Sequence, residues 1–157
     1  MLSRRSLLLG AAALTGLSAC GNARMSSKSP PDVAGLHAGE TPELRHQINT
    51  WADHYEVPRT LVHRIVQRES GYNPGARNGP YYGLMQILPQ TARGMGFSGE
   101  PTQLLKADMN LRYGVKYLRG AWLCADGDEA AAVMWYARGY YYEAKRRGIL
   151  DDVGMRA

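Results

Sequence analysis

Residues 58–68 carry Val62, Ile65 and Val66 at helical spacing, and the position that continues this stripe is Glu69. Apolar residues at that period commit the segment to a helix with one buried face. Pro58 suits its first turn, where a missing N–H costs no hydrogen bond. Ser70-Gly71, followed by Asn73-Pro74-Gly75, stops it. The carboxylate of Glu69 is therefore expected at an opening beside a helix end, on the side where an apolar residue would normally stand. Desolvation of a carboxyl group disfavours its charged form, which is what a general acid working near neutral pH requires. Taken alone, a Glu that turns outward at a frayed helix end is the competing reading.

Three further helices follow from the same periodicity. Thr41 can cap a helix with Pro42 in its first turn, and Leu44, Ile48, Trp51 and Tyr55 form its stripe. A third helix is predicted over about 108–123, with Leu111, Val115, Leu118 and Trp122 on one face. A fourth is predicted over about 129–147, closed by Gly148. A short helix is expected after Pro89. No stretch alternates convincingly as a strand, so the fold class is mostly α. Residues 41–157 suffice for one domain with a core, and no repeat is present.

The chain has two cysteines, Cys20 and Cys124, and four histidines, His37, His46, His54 and His63, none at metal-binding spacing. We expect no metal and no cofactor. Neither a G-x-S-x-G sequence nor a Cys–His pattern supports nucleophilic catalysis. Cys124, beside Trp122 and Leu123, reads as a small buried hydrophobe.

Residues 1–19 read as an export signal: Arg4-Arg5 precedes an apolar run that is too short to span a bilayer. The arginine pair also resembles a twin-arginine signal. Leu17-Ser18-Ala19-Cys20 resembles a bacterial lipobox, which implies cleavage before Cys20 and lipid on its sulfur; a cleaved signal without lipid is the alternative. Residue 21 is Gly rather than Asp, which favours the outer membrane, facing the periplasm. Residues 20–40, rich in Gly, Ser, Pro and Asn, read as a lipid-anchored flexible linker. The formal charge of +5 falls to +3 once Arg4 and Arg5 are removed, leaving 17 basic against 14 acidic residues. Such an excess suits an anionic polymer; the export signal argues against nucleic acid.

Between Glu69 and Ala92 stand Glu69-Ser70, Asn73-Pro74, Gly83-Leu84-Met85-Gln86-Ile87, Pro89 and Thr91-Ala92. Asn110-Leu111, Gly114, Tyr117-Leu118, Tyr136 and Gly139 follow. In these motifs the chain resembles the soluble lytic transglycosylase family, with its goose-type lysozyme-like fold, over roughly residues 50–148. The resemblance implies a helical domain with a substrate cleft beside the Glu69 helix end. It also implies cleavage of the β-1,4 bond between N-acetylmuramic acid and N-acetylglucosamine in peptidoglycan, leaving 1,6-anhydromuramic acid ends, with Glu69 as acid and then base. That chemistry fits the absence of a second carboxylate near the motif, since most glycosidases flank the bond with two. The matched positions implied to bind substrate are Ser70, Asn73, Gly83, Met85, Gln86 and Tyr136, and Tyr82 joins them as a substrate-binding candidate from its place in the loop just before Gly83. Their bland roles stand beside them: helix termination for Ser70, an ordinary turn for Asn73, the core for Tyr136. Tyr81 and Tyr82 are the tyrosines placed to meet sugar. Where the family commonly has Tyr-Asn-Ala-Gly, this chain has Tyr136-Ala137-Arg138-Gly139. A hydrolysing muramidase and a non-catalytic wall-binding or secretion scaffold are the competing functions; protein partners are not legible.

Overall fold

The computed structural model describes residues 35–155. The signal, the lipobox Cys20 and most of the linker lie outside the described residues. Six helices dominate the described residues: α1 (Pro42–His54), α2 (Arg59–Ser70), α3 (Pro89–Gly94), α4 (Ala107–Cys124), α5 (Glu129–Arg138) and α6 (Tyr141–Arg147). Two strands of two residues each, β1 (Arg77–Asn78) and β2 (Tyr81–Tyr82), form an antiparallel hairpin between α2 and α3, pairing Arg77 with Tyr82 and Asn78 with Tyr81. Strands this short leave no alternation for the sequence to display. A 3-10 turn over Pro101–Leu105 leads into α4.

The fold is mostly α, as expected, and α4 is its axis, meeting α1, α3, α5 and α6. Small residues allow this close packing. A Cβ on Gly120 would lie 2.2 Å from the hydroxyl of Tyr140, and one on Gly114 would lie 2.6 Å from Met85 Sδ. Thr41 Oγ1 accepts from Leu44 N at 3.2 Å, capping α1. Leu44 and Ile48 are buried on its stripe, but Ala52 takes the third inward position, while Trp51 and Tyr55 sit half-buried beside the core. The helix predicted over 129–147 is in fact two: α5 stops at Gly139 (φ +81°), and α6 starts after Tyr140. The break lets Tyr140 drop into the core and donate to Tyr117 O at 2.8 Å. Cys124 is buried, as its apolar neighbours suggested.

The folded unit also begins earlier than the predicted linker boundary. Glu40 is buried, and its carboxylate accepts from Arg45 Nε at 2.9 Å, Arg45 Nη2 at 2.7 Å and His37 N at 2.8 Å. His63 on α2 lies between Glu40 Oε1 (3.5 Å), the Tyr72 hydroxyl (3.1 Å) and Asn49 Oδ1 (3.2 Å). The His37 ring stacks on Tyr72 at 5.4 Å. A Cβ on Gly39 would meet Gly71 O at 2.5 Å, so residues 37–40 are pressed against the turn that ends α2. Composition marks this stretch as a tether, but one well-placed ion pair docks its end.

The cluster predicts acid sensitivity. Burial pushes His63 below its ordinary 6.5; Glu40 opposes that shift, while Arg45, His37 and Arg59 reinforce it. Burial pushes Glu40 up, but the hydrogen bonds from Arg45 and the His37 N–H, with the charges of His63 and Arg45, bring it below 4.5 overall. Both folded values are depressed, so both groups stabilise the fold above their unfolded values and lose that contribution as pH falls. The His63 contribution starts to fade near pH 6.5, and that of Glu40 only below pH 4.5. Wild-type protein should therefore melt a few degrees lower at pH 5.5 than at pH 7.5, and His63→Gln should flatten the difference. Identical slopes for the two proteins would refute the assignment.

Candidate active site

The last turn of α2 delivers Glu69 to the surface. Leu61, Val62, Ile65 and Val66 are fully buried behind it, but the Glu69 side chain keeps 24% exposure, at the margin of the stripe rather than under it. Gly71, in the left-handed region at φ +57°, turns the chain away immediately. Arg68 Nε and Nη2 both donate to Glu69 Oε1, at 3.0 and 2.5 Å. Among the described residues, Oε2 has no protein hydrogen-bond donor.

Glu69 lines a depression of about 390 Å³ together with Arg68, Asn78, Tyr81, Gln86, Tyr136 and Ala137. A second depression of about 190 Å³ adjoins it, sharing Tyr81, Gln86, Tyr136 and Ala137 and continuing past Thr91 to Arg138 and Gly139. Among the described residues, Glu69 is the single carboxylate lining either one. Glu100 and Asp108, the next acids along the chain, line neither; Asp108 accepts from Trp51 Nε1 at 2.9 Å, joining α4 to α1.

The loop facing Glu69 is built from the backbone outward. Tyr82 and Ile87 exchange two hydrogen bonds of 3.1 Å, and Gln86 N donates to Gly83 O at 3.1 Å, closing a tight turn. Gln86 sits at φ +46°, a conformation that non-glycine residues rarely adopt. Its Nε2 donates to Gly83 O at 2.8 Å and Ala76 O at 3.2 Å, fixing the side chain beside Glu69. Behind the turn, Asn110 of α4 is fully buried and holds three backbone groups. Its Oδ1 accepts from Met85 N at 2.8 Å, and its Nδ2 donates to Tyr82 O at 2.7 Å and Leu104 O at 2.8 Å. The Tyr136 hydroxyl donates to Met85 O at 2.7 Å. Burial, with the nearby Glu69 charge second, raises the Tyr136 phenol well above its ordinary range, so it serves as a fixed neutral donor.

The positions predicted from the sequence separate into two groups. Glu69, Gln86 and Tyr136 converge on one depression, joined by Tyr81, which is 42% exposed. Tyr82 is not with them: it packs with Ile87, Phe97 and Leu104, under the guanidinium of Arg77. The Met85 side chain is in the core against Gly114. Gly83 does allow a close approach, but to protein: a Cβ would lie 2.3 Å from Asn110 Nδ2 and 2.4 Å from Leu104 O. Ser70 bonds back to Val66 O at 3.2 Å, and Asn73 Oδ1 accepts from Gly75 N at 2.9 Å, so both serve local structure. Cys20 lies outside the described residues. Two residues had no assigned role in the sequence reading: Arg68, which holds the carboxylate, and Asn110, which holds the loop. An asparagine on a helix face shared with Gly114, Leu118 and Ala121 was the available signal for the second.

Ligand atoms of His37, Glu40 and His63 come within 4.8 Å of one another, the one such grouping among the described residues. Both oxygens of Glu40 are already held by the Arg45 guanidinium, whose charge opposes a cation there.

The Transglycosylase SLT domain family model matches residues 46–148, most of the described chain and all of the site above. The chain belongs to this family. Among solved structures it is similar to the 70 kDa soluble lytic transglycosylase of Escherichia coli, at 23% identity with a TM-score of 0.57, covering 69% of this chain and 18% of that one. The complex of the 70 kDa soluble lytic transglycosylase with bulgecin A matches over the same shares, at 23% identity with a TM-score of 0.58. The likeness is one of fold, and the chain spans less than a fifth of the length of these proteins. Within the SLT match fall Glu69, Gln86, Asn110 and Tyr136.

Proposed function

We propose that the protein is a peptidoglycan lytic transglycosylase that cuts the β-1,4 bond between N-acetylmuramic acid and N-acetylglucosamine, with Glu69 as acid and then base. The observation that carries this reading is a lone carboxylate in a depression walled by Tyr81, Gln86 and Tyr136, in a chain of the SLT family. An inverting or retaining two-carboxylate mechanism needs a partner acid within about 5–9.5 Å, and among the described residues no second Asp or Glu lines the depression. One carboxylate suffices if the substrate supplies the nucleophile. Glu69 gives its proton to the glycosidic oxygen as the C1–O4 bond breaks, and the sugar's acetamido group stabilises C1. The C6 hydroxyl then attacks C1 and returns its proton to Glu69. No water is consumed, and the 1,6-anhydro ring is the product.

The protein's own groups prepare that sequence. Arg68 fixes the carboxylate through Oε1 and leaves Oε2 for substrate. Tyr136 and Asn110 hold the loop that carries Gln86. The lipobox sequence ending at Cys20 supports a lipid-anchored enzyme in the periplasm, on the outer membrane, which would keep it close to its polymer.

Digestion of purified peptidoglycan followed by mass analysis tests the reading. The expected products are lighter by one water than hydrolytic muropeptides. Reducing-end products would identify a muramidase. Binding without cleavage would identify a scaffold.

A further inference from the structure

The same depressions carry more positive charge than the chemistry of one acid needs. Two arginines line them, Arg68 beside Glu69 and Arg138 at the far lip, separated along the wall by Ala137. Arg68 is engaged with Glu69, whereas Arg138 is exposed and has no carboxylate partner among the described residues. Its contacts are Met134 Sδ at 3.3 Å and the Trp135 ring, 5.4 Å from guanidinium carbon to centroid. Both come from its own helix, and they steady the stem of the side chain while leaving most of the guanidinium's donors open. Two guanidiniums against one carboxylate leave the depressions with a formal charge of +1, and +2 once Glu69 carries the proton that its acid step requires. The neighbouring Ala137 offers only a methyl group, so this lip of the site presents a cation and no amide.

A neutral glycan gives such a cation nothing to pair with. Muramic acid in the wall carries a peptide on its lactyl group, and that peptide bears carboxylates. Building on the transglycosylase reading, we infer that Arg138 binds a carboxylate of the peptide stem, so that the enzyme acts on stem-bearing strands in preference to stripped glycan. A guanidinium fork matches a carboxylate in geometry as well as charge. Tyr81 and Gln86, on the shared wall, remain for the sugar.

The test compares glycan strands with intact stems and strands stripped by an amidase that cuts between muramic acid and the first amino acid, the lactyl carboxylates freed by that cut being capped as methylamides so that the stripped strand is neutral. Wild-type protein, Arg138→Gln and Arg138→Lys are assayed on each at low and moderate salt. Arg138→Gln should lose about three- to fivefold in kcat/KM on stem-bearing strands, the size expected of one partly exposed ion pair. It should stay within about twofold of wild type on stripped strands, and Arg138→Lys should recover part of the loss. The wild-type preference should shrink as salt screens the contact. Equal losses on both substrates would overturn the proposal and leave Arg138 as a prop for Trp135. Equal wild-type rates on both would overturn it with the transglycosylase reading intact. If wild-type protein cleaves neither, the transglycosylase reading fails, and co-sedimentation with the two strand types decides the arginine's role. Weaker retention of Arg138→Gln on stem-bearing strands alone supports it; equal retention of wild type and variant refutes it.

Discussion

Glu69→Gln is expected to abolish release of anhydro-ended products, lowering the rate at least about 10³-fold, while the protein keeps its fold. A positioned general acid or base contributes roughly 10²–10⁴-fold, and in the proposed cycle the same group performs both transfers. Among the described residues, no other carboxylate lines the depression to take over. The amide is nearly isosteric and can still accept from Arg68 through its oxygen, so the ion pair weakens to a hydrogen bond without leaving a hole. The side chain is part-exposed, at the margin of the buried face of α2 and not under it, and the melting temperature should move by a few degrees at most. The measurement is product mass and rate on purified peptidoglycan, beside a thermal melt. A variant that cleaves within tenfold of wild type would remove Glu69 from the chemistry. One that also unfolds would mean the Arg68 pair is structural, and Glu69→Asp, which keeps the charge but withdraws it from the substrate, would then separate the two roles.

How far a sequence can be read depended here on the range of the interaction. Glu69 was legible because its neighbours in the helix set a period that it interrupts. The Thr41 cap and the extent of α4 were legible for the same local reason. Adjacent residues in a two-residue strand point to opposite faces, and nothing local says which face is which. Tyr81 therefore faces the depression while Tyr82 enters the core, against an expectation that favoured Tyr82. Met85 and Gln86 divide in the same way, because the left-handed φ of Gln86 turns its side chain out as Met85 packs on Gly114. The break at Gly139 was hidden because apolar residues continue on both sides of it. Only the space over Gly120 explains why Tyr140 leaves the helix. The buried end of the linker was hidden too, since Glu40 meets His63 through the fold and not through any spacing.

Asn110→Ala should be the most damaging substitution outside the acid itself. The side chain is fully buried and makes three hydrogen bonds, all to backbone: Met85 N, Tyr82 O and Leu104 O. Alanine leaves the buried Met85 N and Leu104 O without their partner, each costing about 1–3 kcal/mol, and leaves Tyr82 O with Ile87 N alone. Relaxation of the loop and entry of water would recover part of that, so a net loss of about 3–5 kcal/mol is expected, lowering Tm by at least about 10 °C. The loss has a particular place. Gly83 is seated directly against the Asn110 amide, and the turn it begins carries Gln86 to Glu69 and presents Met85 O to Tyr136. The turn should therefore loosen before the helices do. Activity should fall at temperatures where circular dichroism still reports native helix, and amide exchange at Met85 should accelerate ahead of exchange in α4. Asn110→Asp separates shape from chemistry: it fills the same space and keeps the acceptor for Met85 N, but offers the two carbonyls no donor when ionised. It should be destabilised at pH 7 and partly recover as the pH is lowered enough to protonate it. If Asn110→Ala costs less than about 1 kcal/mol and cleavage persists, the loop is held by its own turn and by Tyr136, and the proposed link from α4 to the site is wrong.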